Sequence, residues 1–248
     1  DGKLRLWNFF GEFRFSNNNY IVAGDYNNDG TQEIYTFTLI SDSVFIHSAD
    51  VRLPHNARFT YRFVTRIGSL DGYTDAGIIP AKMEDLTGDG FKEVIFGIVS
   101  GFGIYPRQVY AYDIVNDTLL QSPRSGSHFF SILQADITND GKSEFLLSST
   151  SSYNIHIVEY PFHDSSNYYM VLNQQLGFLF PPLTRNDAGQ YVVPFALYPG
   201  TAHTVFGYFF NPLGAPGQNA TLIKLNTRGR IVKELTLPSS ITETAQDF

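Results

Sequence analysis

Three short stretches of the chain place carboxylates at the same alternating positions. Residues 25–33, 85–93 and 136–144 each begin with Asp, carry Asp-Gly at positions five and six, and end with Glu at position nine. We call these stretches loop 1, loop 2 and loop 3. Oxygen-bearing side chains at alternate positions of a tight turn can converge on one point, so their chemistry is that of binding a hard cation.

Calcium is the cation that this donor set predicts, because Ca²⁺ takes six to eight oxygen ligands at about 2.3–2.6 Å. We expect side chains at positions one, three, five and nine and the backbone carbonyl at position seven to bind it, while the glycine at position six permits the sharp turn. The predicted ligands are Asp25, Asn27, Asp29, Thr31 and Glu33 in loop 1; Asp85, Thr87, Asp89, Phe91 and Glu93 in loop 2; and Asp136, Thr138, Asp140, Lys142 and Glu144 in loop 3. Up to three Ca²⁺ ions would reduce the formal net charge from −7 to −1.

Other metal sites fit the loops less well. An EF-hand needs a bidentate Glu at position twelve and flanking helices, but position twelve is Thr36, Phe96 and Leu147. Zinc and iron are disfavoured because the loops hold no His and the chain has no Cys. Magnesium is disfavoured because it usually keeps several of its waters.

Apolar stretches precede and follow each loop, so the repeated unit is predicted to be strand, acidic loop, strand, followed by a second hairpin. A fourth unit has the same strand pattern without the acidic loop, and no convincing helical periodicity interrupts the series. The predicted units of this single module cover approximately residues 19–66, 76–122, 128–182 and 190–238.

Repeats of roughly 50 residues with four strands each predict an all-β fold of β-propeller blades, each of four antiparallel strands. About four blades are expected. Residues 1–10 contain the strand-like run 3–7, which has no partner before it and is predicted to be the outer strand of a neighbouring blade. A fragment of a larger propeller is therefore favoured over a closed four-bladed ring.

The pattern Asp-x-[Asn/Thr]-x-Asp-Gly-x-x-Glu between strands resembles the FG-GAP or VCBS repeats of integrin α-subunit propellers and of many bacterial surface proteins. The resemblance covers about residues 19–182 and implies calcium ligands at positions one, three, five, seven and nine. Thr87 and Thr138 depart from the usual Asp or Asn at position three, and position nine is Glu throughout, which implies weaker affinity. Residues 100–113 also resemble a stretch of extracytoplasmic propeller domains in bacterial sensor histidine kinases.

Composition narrows the function further. The net charge of −7 disfavours a nucleic-acid partner. The chain contains no run of 18 apolar residues, so we predict no membrane span within it. The six His residues are scattered and no catalytic motif is found, so we predict no enzyme and no catalytic or cofactor-binding residues beyond the calcium ligands.

The predicted function is a calcium-binding, extracytoplasmic recognition or sensor module, either periplasmic or on the cell surface. Its ligand would be a small molecule, a glycan or a protein, contacted by residues 101–107 and 161–169. An adhesion or polysaccharide-binding propeller is the alternative, and a calcium-dependent carbohydrate-active enzyme is less favoured.

Overall fold

The computed structural model describes residues 21–50, 60–69, 76–100, 104–125, 129, 131–148, 169–182, 194–200, 203–209 and 221–236. Within these ranges the chain forms seventeen strands and no helix, which confirms the predicted all-β fold. The strand expected at residues 3–7 lies outside the described residues. No helix in the described part of the chain is long and apolar enough to cross a membrane.

The first sheet is a four-stranded antiparallel meander of consecutive strands. It is ordered β1-β2-β3-β4 and consists of β1 (Ile21–Gly24), β2 (Glu33–Ile40), β3 (Ser43–Asp50) and β4 (Thr60–Arg66). Side chains alternate between the two faces of a strand. Tyr35, Phe37 and Leu39 of β2 are accordingly buried on one face.

The second sheet has the order β10-β9-β7-β6. Its strands are β6 (Ala76–Pro80), β7 (Val94–Ser100), β9 (Arg107–Asp113) and β10 (Thr118–Gln121). The central strand β7 is buried along its whole length and is apolar except for Ser100, whose hydroxyl donates to the Pro106 carbonyl at 2.8 Å. A separate short ribbon pairs β5 (Gly68–Ser69) with β8 (Ile104–Tyr105).

The third and fourth sheets repeat the antiparallel pattern. The third has three described strands, β11 (Leu133–Ala135), β12 (Glu144–Ser148) and β13 (Tyr169–Leu172). The fourth consists of β14 (Pro194–Pro199), β15 (Thr204–Phe209), β16 (Thr221–Asn226) and β17 (Ile231–Thr236), paired in chain order. This series of small antiparallel sheets, four-stranded in the first, second and fourth, is consistent with propeller blades.

The chain divides into two compact units. Unit 1 comprises Asp1–Pro106 and Ala111–Leu119, and unit 2 comprises Arg107–Tyr110 and Leu120–Phe248. Within unit 1, the rings of Phe37 and Phe96 pack with centroids 4.6 Å apart. Within unit 2, one apolar core is formed by the third and fourth sheets together; its buried members are Ile137, Leu146, Tyr169, Val171, Phe180, Leu197, Val205, Ile223 and Leu225.

Candidate metal-binding loops

The three acidic loops lie at equivalent places in three sheets. Loop 1 joins β1 to β2, loop 2 joins β6 to β7, and loop 3 joins β11 to β12. In each case the position-nine glutamate pairs across the sheet with the residue just before position one. These pairs are Gly24 with Glu33, Glu84 with Glu93, and Ala135 with Glu144. The strand register therefore presents all three loops in the same way.

The backbone of the loops has the same unusual conformation three times. The glycine at position six has a φ of 85° in loop 1, 91° in loop 2 and 84° in loop 3. Position four also has positive φ, at Asn28, Gly88 and Asn139. A Cβ added at Gly30, Gly90 or Gly141 would meet no atom within 4 Å, so the positive φ, and not crowding, is what favours glycine there.

Backbone N–H groups hold the aspartates of positions one and five inside each loop. The position-one carboxylate accepts a hydrogen bond from the glycine N–H at position six, with N···O distances of 2.8, 2.9 and 2.8 Å in loops 1 to 3. The position-five carboxylate accepts one from the N–H at position seven, at 2.8, 2.9 and 2.9 Å. A carboxylate has about four lone-pair sites, so these bonds orient both aspartates while leaving oxygen lone pairs for an ion.

The glutamate at position nine is buried in all three loops. Its carboxylate accepts a hydrogen bond from the N–H at position two, which belongs to Tyr26 (3.4 Å), Leu86 (2.6 Å) or Ile137 (2.8 Å). The glutamate thereby ties the end of the loop to its beginning. This contact gives it a structural role in addition to the predicted role as a ligand.

The threonines at position three also contact this glutamate. The Thr138 hydroxyl donates to Oε1 of Glu144 at 3.1 Å, and the Thr87 hydroxyl donates to Oε1 of Glu93 at 3.4 Å. Both hydroxyl oxygens keep lone pairs that a cation could use. In loop 1 the carbonyl oxygen of the Asn27 side chain accepts from the Asp29 N–H at 3.2 Å. Ligation by the position-seven carbonyls of Thr31, Phe91 and Lys142 stays a prediction.

Loop 2 brings three carboxylates together. Oxygens of Asp85, Asp89 and Glu93 lie within 4.8 Å of one another. Among the described residues, no other group of three Asp, Glu, His or Cys side chains is this close together. Burial raises the pKa of the Glu93 carboxyl, and the charges of Asp113 and Asp85 act in the same direction against the Leu86 N–H bond. An all-oxygen, negatively charged group of this kind suits a hard cation such as Ca²⁺.

Loops 1 and 2 contact each other inside unit 1, an arrangement that the sequence did not reveal. The Lys92 N–H donates to the Tyr26 carbonyl at 2.8 Å, and the Lys92 ammonium donates to the Asp25 carbonyl at 3.0 Å. The Asn28 side-chain amide donates to the Gly90 carbonyl at 3.1 Å. In loop 3 an equally unpredicted partner, the Gln174 amide, donates to Oε1 of Glu144 at 2.9 Å.

The two segments predicted to contact a ligand are only partly described. Residues 101–103 and 161–168 lie outside the described residues. Ile104–Tyr105 forms strand β8, and Arg107 is buried at the start of β9. The end of the first segment is therefore part of the β framework. Tyr169 of the second segment is buried at the start of β13.

Fold and loops together define an all-β protein of repeated antiparallel sheets, three of which carry the same acidic loop between their first two strands. Comparisons with protein families, with curated proteins and with solved structures give no match.

Proposed function

We propose that this chain is a calcium-binding recognition module built from FG-GAP/VCBS-like propeller repeats. The observation that carries the proposal is the threefold recurrence of one loop geometry: the same register, the same positive-φ glycine and the same carboxylate hydrogen bonds in loops 1, 2 and 3. A polar turn seen once needs no ligand. Three turns that converge on the same conformation support a shared ligand chemistry.

Calcium fits the loops for electrostatic reasons. Three carboxylates whose oxygens lie within 4.8 Å repel one another when ionised, and a divalent cation would turn this repulsion into attraction. The residues that would hold the ion in loop 2 are Asp85, Asp89 and Glu93, with the Thr87 hydroxyl and the Phe91 carbonyl as further oxygens. Loops 1 and 3 have the same residue positions, but among the described residues the three carboxylates lie within 4.8 Å of one another only in loop 2.

The proposed location is extracytoplasmic, in the periplasm or at a cell surface. Calcium-binding modules outside the cell have dissociation constants of about 10⁻⁴–10⁻³ M. Position three is neutral in all three loops, as Asn27, Thr87 or Thr138, and fewer charged ligands give weaker binding. The proposed role is binding and not catalysis, in a sensor or an adhesion protein.

Calorimetric titration of the chelator-treated chain with CaCl₂ tests the proposal. We expect uptake of up to three ions at millimolar calcium. Asp29→Asn, Asp89→Asn and Asp140→Asn should each remove one ion, because each substitution keeps the shape of the side chain and deletes one ligand charge. The matched control is Asp42→Asn in the β2–β3 turn, where the carboxylate accepts from the Ser43 hydroxyl; this variant should bind as many ions as the wild type.

The contrary result is equally clear. A chain that takes up no calcium at millimolar concentration, or one in which the Asp42 variant loses as much binding as the loop variants, would refute calcium binding by these loops.

A further inference from the structure

The glutamate of loop 3 has a contact from outside its loop. The side-chain amide of Gln174 donates to Oε1 of Glu144 at 2.9 Å, from a position 30 residues further along the chain. The two residues are buried, at 9% and 1% exposure, and both belong to unit 2. Strands β12 and β13 are paired with Phe145 opposite Leu172. This register places Gln174 just beyond the end of β13, beside the buried end of loop 3.

The turn that carries Gln174 is fixed by its own hydrogen bonds. In residues 173–177 the side-chain carbonyl of Asn173 accepts from the N–H groups of Gln175 and Gly177, each at 3.0 Å. The Asn173 N–H in turn donates to the Gly177 carbonyl at 2.9 Å. Because the backbone is held in this way, the Gln174 amide is preorganised toward loop 3. Release of its hydrogen bond requires only a rotation of the Gln174 side chain.

The Gln174 bond completes the hydrogen bonding of the Glu144 carboxylate. Oε2 accepts from the N–H groups of Ile137 and Thr138, at 2.8 and 3.1 Å. Oε1 accepts from the Thr138 hydroxyl at 3.1 Å and from Gln174. A carboxylate has about four lone-pair sites, and these four bonds use them. Calcium can therefore bind an oxygen of Glu144 only by displacing one of its donors.

Gln174 is the donor that an ion would displace. The two N–H groups belong to the backbone of the loop and are fixed by its conformation. The Thr138 hydroxyl can donate its proton to Glu144 while a lone pair of the same oxygen binds the ion. The Gln174 amide comes from outside the loop, and its N–H group has no lone pair to offer a cation. The ion and Gln174 therefore compete for Oε1 of Glu144.

Loop 2 has no such competitor in the described part of the chain. Its glutamate, Glu93, accepts from the Leu86 N–H at 2.6 Å and from the Thr87 hydroxyl at 3.4 Å, both within the loop. The three carboxylates of loop 2 also lie within 4.8 Å of one another, whereas among the described residues those of loop 3 do not. Glu93 thus keeps lone pairs for an ion, and Glu144 does not.

We infer that Gln174 is a positioning residue that holds the loop 3 glutamate away from calcium. Loop 3 then fills only at higher calcium concentrations than loop 2, and its filling releases Gln174 from Glu144. The inference rests on the calcium binding proposed above and adds regulation to it, because the loops respond to calcium over different concentration ranges.

Calcium titration by calorimetry tests the order of filling. The Asp29→Asn, Asp89→Asn double variant leaves loop 3 as the remaining acidic loop, and the Asp29→Asn, Asp140→Asn double variant leaves loop 2. We expect loop 2 to bind calcium more tightly than loop 3 in this comparison.

Gln174→Met in the variant that retains loop 3 tests the role of the amide. Methionine removes the amide and keeps a side chain of similar size. Calcium should bind about tenfold more tightly than in the parent variant, because the ion no longer competes with a hydrogen bond to a charged group. This gain of affinity is a result that damage to the loop would not produce.

Gln175→Met is the matched control, because Gln175 is the exposed neighbour on the same turn. It should bind calcium within about twofold of the parent variant, as expected for a surface substitution. If Gln174→Met does not fold, Gln174→Asn decides instead. Its amide is one methylene shorter and does not reach Oε1 of Glu144, so the same gain in affinity is expected.

The side-chain amide of Gln174 reports its release directly. Its NMR resonance is identified by its absence from the spectrum of the folded Gln174 variant. In the variant that retains loop 3, this resonance should shift as calcium fills the loop, while the side-chain amide of Gln175 should stay unchanged.

Three results would each overturn the inference: affinity that does not rise in the deciding Gln174 variant, a loop 3 that binds calcium as tightly as loop 2, or a Gln174 amide that does not shift at saturating calcium. Calcium uptake by loop 2 separates these results from the calcium proposal. Uptake there without a gain from the Gln174 variant refutes the inference alone, whereas no uptake by any variant refutes both.

Discussion

At the scale of single residues, different positions of the acidic loops have different structural roles. The aspartates at positions one and five accept hydrogen bonds from backbone N–H groups of the loop, whereas the position-nine glutamate is buried and joins the two ends of the loop. A cation bound by all three would therefore connect the loop surface to the sheet. A Cβ added at position six would meet no atom within 4 Å, so glycine is favoured there by its positive φ and not by crowding.

Substitution of that glycine isolates the backbone effect. Gly90 has a φ of 91° and open space at its Cβ position, so Gly90→Ala should lower the free energy of unfolding by about 1–2 kcal/mol through backbone strain alone. Urea unfolding in the absence of calcium measures the change.

The control is Gly77→Ala in strand β6, where φ is not in the left-handed region and the nearest atom to an added Cβ is the Val99 carbonyl oxygen at 3.8 Å. This variant should be neutral or stabilised by up to about 1 kcal/mol. Equal losses of stability for the two variants would contradict the conformational explanation.

At the scale of elements, loops 1 and 2 form a linked pair. Lys92 contacts the beginning of loop 1 through its backbone N–H and its ammonium, and Asn28 contacts loop 2 through its amide. The Tyr26 and Phe91 rings lie 6.2 Å apart beside these bonds. Ordering one loop around an ion would restrict the other, and contacting residues ordinarily show interaction energies of about 0.5–3 kcal/mol.

We therefore predict cooperative calcium binding by loops 1 and 2. Asp29→Asn, which removes the ion of loop 1, should weaken calcium binding to loop 2 by at least about twofold, because interaction energies of this size correspond to roughly 2- to 150-fold in affinity. Calorimetry of the Asp29→Asn, Asp140→Asn double variant isolates loop 2, and the Asp140→Asn variant provides the reference.

Asn28→Gly examines the link without touching a predicted ligand. Glycine keeps the positive φ of Asn28 and deletes the amide that reaches Gly90. In the Asp140→Asn background the two remaining ions should then bind with reduced cooperativity. Cooperativity as strong as in the parent variant would show that this bond does not couple the loops.

At the scale of the whole molecule, calcium should stabilise a fold that is already formed by its sheets. An ion that binds only the native state adds RT ln(1 + [L]/Kd) to stability. At about 1 mM calcium and a Kd of about 10⁻⁴–10⁻³ M, each site would contribute about 0.4–1.4 kcal/mol. Domains are ordinarily stable by about 5–15 kcal/mol, so the apolar cores should hold the chain folded without the ion.

Thermal unfolding with and without chelator measures this contribution. Three sites would add about 1–4 kcal/mol, so removing calcium should lower the Tm by about 2–15 °C while leaving a cooperative transition. The same concentration of magnesium controls for ionic strength and should restore little of the loss, since Mg²⁺ usually keeps several waters. A Tm that does not change on chelation would contradict the expected stabilisation by calcium, and an unfolded chain after chelation would contradict a fold that is stable without the ion.

The sequence by itself determined those features whose partners are close along the chain. The hydrogen bonds within each acidic loop span at most seven residues. The nine-residue sequence of a loop therefore determines its conformation, and the same conformation forms at all three copies. Apolar and turn patterns likewise predicted most strands and the hairpins 107–114 with 118–121 and 221–226 with 230–237, which form at 107–113 with 118–121 and at 221–226 with 231–236. The hairpin predicted at 168–172 with 177–180 forms only its first strand, because residues 177–180 contribute one isolated bridge, Leu172 with Phe178.

Only the tertiary structure decided the contacts between distant segments. Lys92 meets Asp25 across 67 residues, and Gln174 meets Glu144 across 30. Arg62 meets Asp117 through the packing of two sheets. The physical reason is that such contacts depend on the register, twist and packing of whole sheets, which are set by the summed burial of many side chains.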